Sequence, residues 1–242
     1  MRSTALAIFV AALAVLLAAC GGEDEEPVPV STDRSFVSGI NPEDFTATID
    51  NPLFPLSSAS DLVYEGEETD PDTGETITIR VESTVLSETD IVAGVEVTVV
   101  KVDEFEDEEL VESTLDYYAQ HRDGSVYYLG ERVDDYEDGE IVGHHGAWLA
   151  GEGENQPGLF MPGNPQAGDE FEQEKAPGVA EDRSTVVAVG QTVTVPAGTF
   201  QDCMKTEDFA PLDNVTEFKY YCPGIGLVRE EFEDGYLDLV TY

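Results

Sequence analysis

The chain has little positive charge and few of the side chains on which most catalysis depends. Its 242 residues hold 11 Lys and Arg against 52 Asp and Glu, with three His, three Cys and one Trp, for a net charge of −41. So acidic a chain lacks the basic footprint that nucleic-acid phosphates require. It also lacks the Lys/Arg clusters that hold a protein to anionic headgroups. No Gly-x-Ser-x-Gly elbow, His-Glu-x-x-His pair or Gly-x-x-x-x-Gly-Lys phosphate loop occurs in it. Long helical periodicity is also missing, which leaves strands as the source of structure.

The N-terminus sets the compartment. Arg2 precedes an apolar run from Ala5 to Ala19, shorter than the roughly 20 residues a membrane-spanning helix needs. A positive start, an apolar stretch and small residues have the layout of a secretory signal. Leu17-Ala18-Ala19-Cys20 resembles the lipobox of bacterial lipoproteins, which implies cleavage before Cys20 and acylation of its thiol, as with palmitate. Residues 1–19 then form the signal peptide. Residues 20–46, acidic and afterwards rich in Pro, Ser and Val, read as a tether. Residues 47–242 are expected to form one β domain, long enough for a single core. The resulting location is the cell membrane or outer membrane, lipid-anchored and facing away from the cytoplasm.

Within the domain, "TITIRVESTVL" (76–86) and "VEVTVVKVDEF" (95–105) alternate with period two, as half-buried strands do. Asp123-Gly124, Asp138-Gly139 and Asp234-Gly235 suit two-residue hairpins, and "VTVPAGTF" carries a turn with Pro196 at its second position. The fold expected is all-β: a single antiparallel meander with a curved sheet, half-barrel or sandwich. Acids alternating with apolar residues suggest a solvated acidic face, with divalent-cation binding as the other reading.

Three tyrosine doublets, Tyr117-Tyr118, Tyr127-Tyr128 and Tyr220-Tyr221, put one ring on each side of a strand. Either both faces are covered or a groove receives the second ring. Tyr118, Tyr128, Trp148 and Tyr221 are therefore candidate groove aromatics, with "GLFMPG" (158–163) as a lid or a buried loop. Metal ligation has weak candidates only. His144 and His145 are adjacent, so a strand would send them to opposite faces. Pairing across Asp138-Gly139 sets them against Val133 and Arg132, neither a ligand. Asp70 and Asp72 resemble the start of a calcium loop, but position 12 falls on Val81. No cofactor is expected.

Two stretches carry a further resemblance. "IDNPLFPLSSASDLVYEGEE" (49–68), and "VTVPAGTFQDCMKTEDF" with "YYCPGIGLVREE" near the C-terminus, resemble the ends of the folded domain in a group of uncharacterised bacterial lipoproteins and secreted proteins. The resemblance implies an extracytoplasmic β domain and supplies no activity. The expected function is non-catalytic binding of a small molecule or protein partner by a monomer at the envelope. A carrier of an apolar ligand in a curved-sheet cavity and a carboxylate-based hydrolase are the alternatives.

With Cys20 taken by lipid, Cys203 and Cys222 remain as a pair in an oxidising compartment. A hairpin through Pro211-Leu212-Asp213-Asn214 pairs Ala210 with Val215 and brings Cys203 opposite Cys222, a separation that suits a disulfide. The same register sets Asp208 against Glu217.

Overall fold

A computed structural model describes residues 40–56, 61–70 and 73–242. Cys20, the signal segment, most of the tether and Asp72 lie outside the described residues. The strands, in chain order, are β1 (Phe45–Thr46), β2 (Leu62–Thr69), β3 (Thr76–Val92), β4 (Val95–Glu106) and β5 (Glu109–His121). They continue as β6 (Val126–Glu137), β7 (Glu140–Gly143), β8 (Trp148–Leu149), β9 (Gly158–Met161) and β10 (Glu170–Glu172). The last are β11 (Arg183–Val195), β12 (Gly198–Ala210), β13 (Val215–Cys222), β14 (Gly226–Phe232) and β15 (Gly235–Thr241).

All belong to one antiparallel sheet, ordered β10-β11-β12-β13-β14-β15-β2-β3-β4-β5-β6-β7, with β1 on β5 and both β8 and β9 on β6. The fold is the expected all-β meander with a curved sheet. Only β15 to β2 joins strands distant in sequence along the main path, and it brings the C-terminal half against the N-terminal half. The two ends of the open sheet approach each other where β9 meets β10. There the Gln156 N–H donates to the Lys175 carbonyl at 3.0 Å. A side chain at Gly158 would strike the Gln173 carbonyl, so glycine permits the approach.

The turns follow local chemistry. Asp138 and Gly139 both take positive φ (52° and 79°), as do Ala93 and Gly94 (49° and 80°). This is the handedness that two-residue hairpins need to match strand twist. Asp107-Glu108 makes the same kind of turn (47° and 73°) without any glycine. Asp234-Gly235 differs from expectation. Phe232 pairs with Gly235, so the turn residues are Glu233 and Asp234, and Gly235 is already strand. A Cβ there would meet the Glu67 carbonyl at 2.3 Å, so close packing, not the turn, demands the glycine.

The fold also begins before residue 47. Pro42–Asp44 form a short 3-10 turn capped by Asn41, and Phe45 pairs with His121 in the sheet. The apolar Phe45 ring is the physical reason, since it packs against Tyr127 and covers the outer face there. "GLFMPG" is no lid. Phe160 and Met161 are buried and belong to β9.

Candidate functional site

Two bulges decide what points inward. In β5 the residues Glu112, Thr114, Asp116 and Tyr118 share the inner face, by the two-residue period of a strand. Across from them on β6, Tyr118 pairs with Tyr128 but Asp116 pairs with Glu131. The extra residue is accommodated at Gly130, where φ is +116°. Tyr128 and Glu131 therefore both face the interior although three positions separate them. The β13–β14 ladder repeats the device. Tyr220 pairs with Arg229 and Tyr221 with Leu227, so Leu227 and Glu230 both turn inward.

The interior that results has an aromatic layer and an acidic layer. Tyr118 and Tyr128 stack with centroids 4.8 Å apart, and Trp148 meets Tyr128 edge-on at 5.6 Å. Phe160 lies 5.0 Å from Tyr118 and 6.5 Å from Tyr221. The four candidate aromatics thus fall in one cluster, joined by Phe160 and Phe54. Their doublet partners sit on the outer face with partners of their own. The Tyr117 hydroxyl accepts from Arg132 Nε at 3.1 Å, and the Tyr220 hydroxyl donates to Glu231 at 3.0 Å.

A cleft of about 40 Å³ opens against this cluster. Its rim comes from the two stretches that carry the resemblance to envelope proteins. Phe54, Pro55 and Leu56 stand on one side, Ile225, Gly226 and Leu227 on the other. The Gly224 N–H donates to the Pro52 carbonyl at 2.8 Å and ties them together. Asn51 fixes the first stretch, its amide donating to the Gly124 carbonyl at 2.8 Å and the Pro162 carbonyl at 3.2 Å. The walls are mostly apolar and aromatic, with Asp116 and Lys219 as the charged groups.

Below the cleft lie the acids. Glu112, Asp116, Glu131, Glu174, Asp208 and Glu230 are all buried, as is one base, Lys219. The Lys219 ammonium is ringed by Glu217 at 3.3 Å, Glu230 at 3.6 Å and Asp208 at 3.8 Å. Burial pulls this group down, but the carboxylates outweigh it and hold the ammonium well above its usual pKa. Burial pushes the acids the other way. Asp116 rises to about 7 although the Tyr128 hydroxyl donates to it at 3.2 Å. Glu112 rises to about 8, through burial and then Asp135 and Asp116. Glu131 and Glu174 go well above the carboxylate range, first by desolvation, then by the charge of Glu174 on Glu131 and of Asp182 on Glu174. The Tyr128 hydroxyl beside Glu131 and the Trp148 indole N–H beside Glu174 offset these shifts only in part.

The acids therefore differ from the expected solvated face. Period-two alternation shows that acids and apolar residues take opposite sides, but not which side is inner. A visible hint is the parity that Asp116 shares with Tyr118 and Lys219 with Tyr221.

The weak metal candidates are not brought together. β7 ends at Gly143, and a bulge at Asp135/Tyr136 shifts the pairing. His144 Nδ1 lies 3.0 Å from Asp134 and 2.7 Å from the Val133 carbonyl. His145, expected against Arg132, instead sits 2.6 Å from Asp135. Asp70 closes its hairpin by accepting from the Thr73 N–H at 3.0 Å. Among the described residues no group of three or more His, Cys, Asp or Glu is arranged to hold a metal ion.

The cysteine register is as expected. Ala210 pairs with Val215, Asp208 with Glu217 and Met204 with Tyr221. Cys203 and Cys222, with Cα atoms 4.1 Å apart, form a disulfide. It is wholly buried beside Tyr221, so neither Cys203 nor Cys222 offers a free thiol.

No family model and no curated protein sequence matches the chain. Among solved structures, a protein assigned as a lipoprotein from Parabacteroides distasonis ATCC 8503 is similar at 14% identity and a TM-score of 0.37. The match covers 78% of this chain and 97% of that one, a likeness too distant to carry an argument.

Proposed function

We propose that this protein is a non-catalytic binding protein, lipid-anchored through Cys20 outside the cytoplasm, whose β domain takes a small ligand at the cleft between Phe54–Leu56 and Ile225–Leu227. The observation that carries the binding role is the composition of the cleft. Aromatic and apolar walls converge on two buried charged groups, Asp116 and Lys219, the usual make-up of a small-molecule site. The anchor rests on Leu17-Ala18-Ala19-Cys20 and on the oxidised pairing of the remaining cysteines.

The volume limits the ligand. About 40 Å³ holds a water or a small head group, well short of the roughly 300 Å³ at which drug-sized pockets begin. A long-chain apolar cargo would need the Phe54 side to open.

Two experiments test the proposal. A fatty-acid probe fed to cells labels the wild-type chain and not Cys20→Ser; equal labelling of both removes the anchor. Detergent-free purification, solvent extraction and mass spectrometry test the ligand class. A stoichiometric long-chain lipid would replace this reading with the carrier.

A further inference from the structure

The open sheet closes on itself along a thin seam. Among the described residues β9 and β10 lie side by side without forming a ladder, and the tie across them is the isolated bridge of Gln156 and Lys175. By contrast, β2 and β3 pair without interruption from Leu62 with Ser83 to Thr69 with Thr76. Residues 162–169 join β9 to β10. The seam is therefore closed by the chain itself at that end, and only the Gln156/Lys175 end is free to part.

Two buried carboxylates face each other across this seam. Glu131 is on β6, cross-strand from Trp148 on β8, and so belongs to one end of the sheet. Glu174 follows β10 and belongs to the other end. Both are buried, and among its charged neighbours Glu174 acts most strongly on Glu131. The Trp148 indole N–H beside Glu174 spans the same gap. Most other groups facing the pair are acidic. Glu112 and Asp116 of β5 act on Glu131, which also has the Tyr128 hydroxyl beside it. Asp182 and Asp116 act on Glu174. Both carboxylates in turn act on the Tyr118 and Tyr128 hydroxyls. Lys219 of β13 is the cation that reaches Glu174, and it is shared with Glu217, Glu230 and Asp208. Carboxylates that share a dry site resist joint ionisation, whereas solvated ones do not.

We propose that the β9–β10 seam is a pH-operated gate. It stays shut while Glu131 and Glu174 keep a proton between them, and it parts at the Gln156/Lys175 end when both are charged, letting water into the acidic interior. The direction follows from solvation. Shut, the pair binds more protons than in the open form, where both carboxyls meet water and titrate in the ordinary range. Burial is the first cause that lifts each of them in the shut form. The shut form is therefore favoured in acid and loses ground as pH rises through those lifted values. Opening costs less than unfolding, because the ladders along the main path stay intact. Nothing in the gate requires the cleft beside Phe54 to be occupied.

The chain has one tryptophan, Trp148, which is buried at the seam, so acrylamide quenching of its emission reads the gate. The experiment measures quenching of the full chain from about pH 5 to about pH 9, with far-UV circular dichroism on the same samples. The expected result is a rise of roughly threefold or more in the quenching constant while the strand signal stays unchanged. Glu174→Gln and Glu131→Gln each leave at most one charge in the pair, so either variant that keeps the wild-type strand signal should stay flat across the range. Gln156→Cys/Lys175→Cys places a disulfide across the isolated bridge and should hold quenching low at every pH. Flat quenching in the wild type, or a rise that accompanies loss of strand signal, overturns the gate. An undiminished rise in the folded Gln variants overturns it as well. A rise that survives the engineered disulfide, its formation checked by thiol titration, overturns the seam as the place of opening.

Discussion

Lys219 and Glu230 face each other across the β13–β14 ladder, Nζ to Oε1 3.6 Å, with the Glu230 side chain wholly buried. An ion pair this deep contributes little net stability over an apolar replacement of both partners, but breaking it by removing one partner is expensive. Lys219→Met should therefore destabilise the domain by about 3–5 kcal/mol at pH 8. The loss should shrink at pH 5, where Asp208 and Glu230, both raised by burial, can take up protons. Urea denaturation at the two pH values measures both numbers.

Stability of the wild-type domain should fall as pH rises from mildly acid to mildly alkaline. Asp116, Asp182 and Glu106 rise to about 7 and Glu112 to about 8, burial being the first cause in each. Carboxyls with raised folded pKa values bind more protons folded than unfolded. Their contribution is complete below the unfolded carboxylate pKa and is lost as pH climbs through 7 to 8. The melting temperature should drop by several degrees between pH 5 and pH 8.5. Calorimetry across that range checks the sign.

The Cys203–Cys222 bridge closes a loop with a sequence separation of 19. Constraining the unfolded chain in this way contributes about 3 kcal/mol. Cys203→Ser/Cys222→Ser should lower stability by about that amount, and thiol titration of the unreduced wild-type domain should find neither cysteine free.

Gly130 is the hinge of the site. At φ +116° it allows the bulge, and a Cβ would lie 2.2 Å from the Trp148 carbonyl. Gly130→Ala should cost roughly 2 kcal/mol or more and separate β8 from β6. A red-shifted Trp148 emission is the expected signature, since that ring is buried against Tyr128 in the wild type.

The strands and the staple were legible because they depend on local pattern. Alternation in 76–86 and 95–105 marks β3 and β4, although β3 runs on to Val92. Counting outward from Pro211–Asn214 finds the cysteine register without knowing the rest of the sheet. The site was legible only in its aromatics, since a doublet guarantees one inward ring whichever way the strand faces. The acidic layer depends on the bulges at Gly130 and beside Tyr220, each of which resets the parity of a strand by one residue. No local pattern in "YYLGER" tells whether Glu131 follows Tyr128 inward or faces solvent. Asp107-Glu108 escaped for a related reason, as its positive φ values occur without glycine.

Detergent-free purification of the full chain, followed by solvent extraction and mass spectrometry, tests the central claim most directly. The account predicts no stoichiometric long-chain lipid, in keeping with a cleft of about 40 Å³. A long-chain lipid recovered in stoichiometric amount would contradict it.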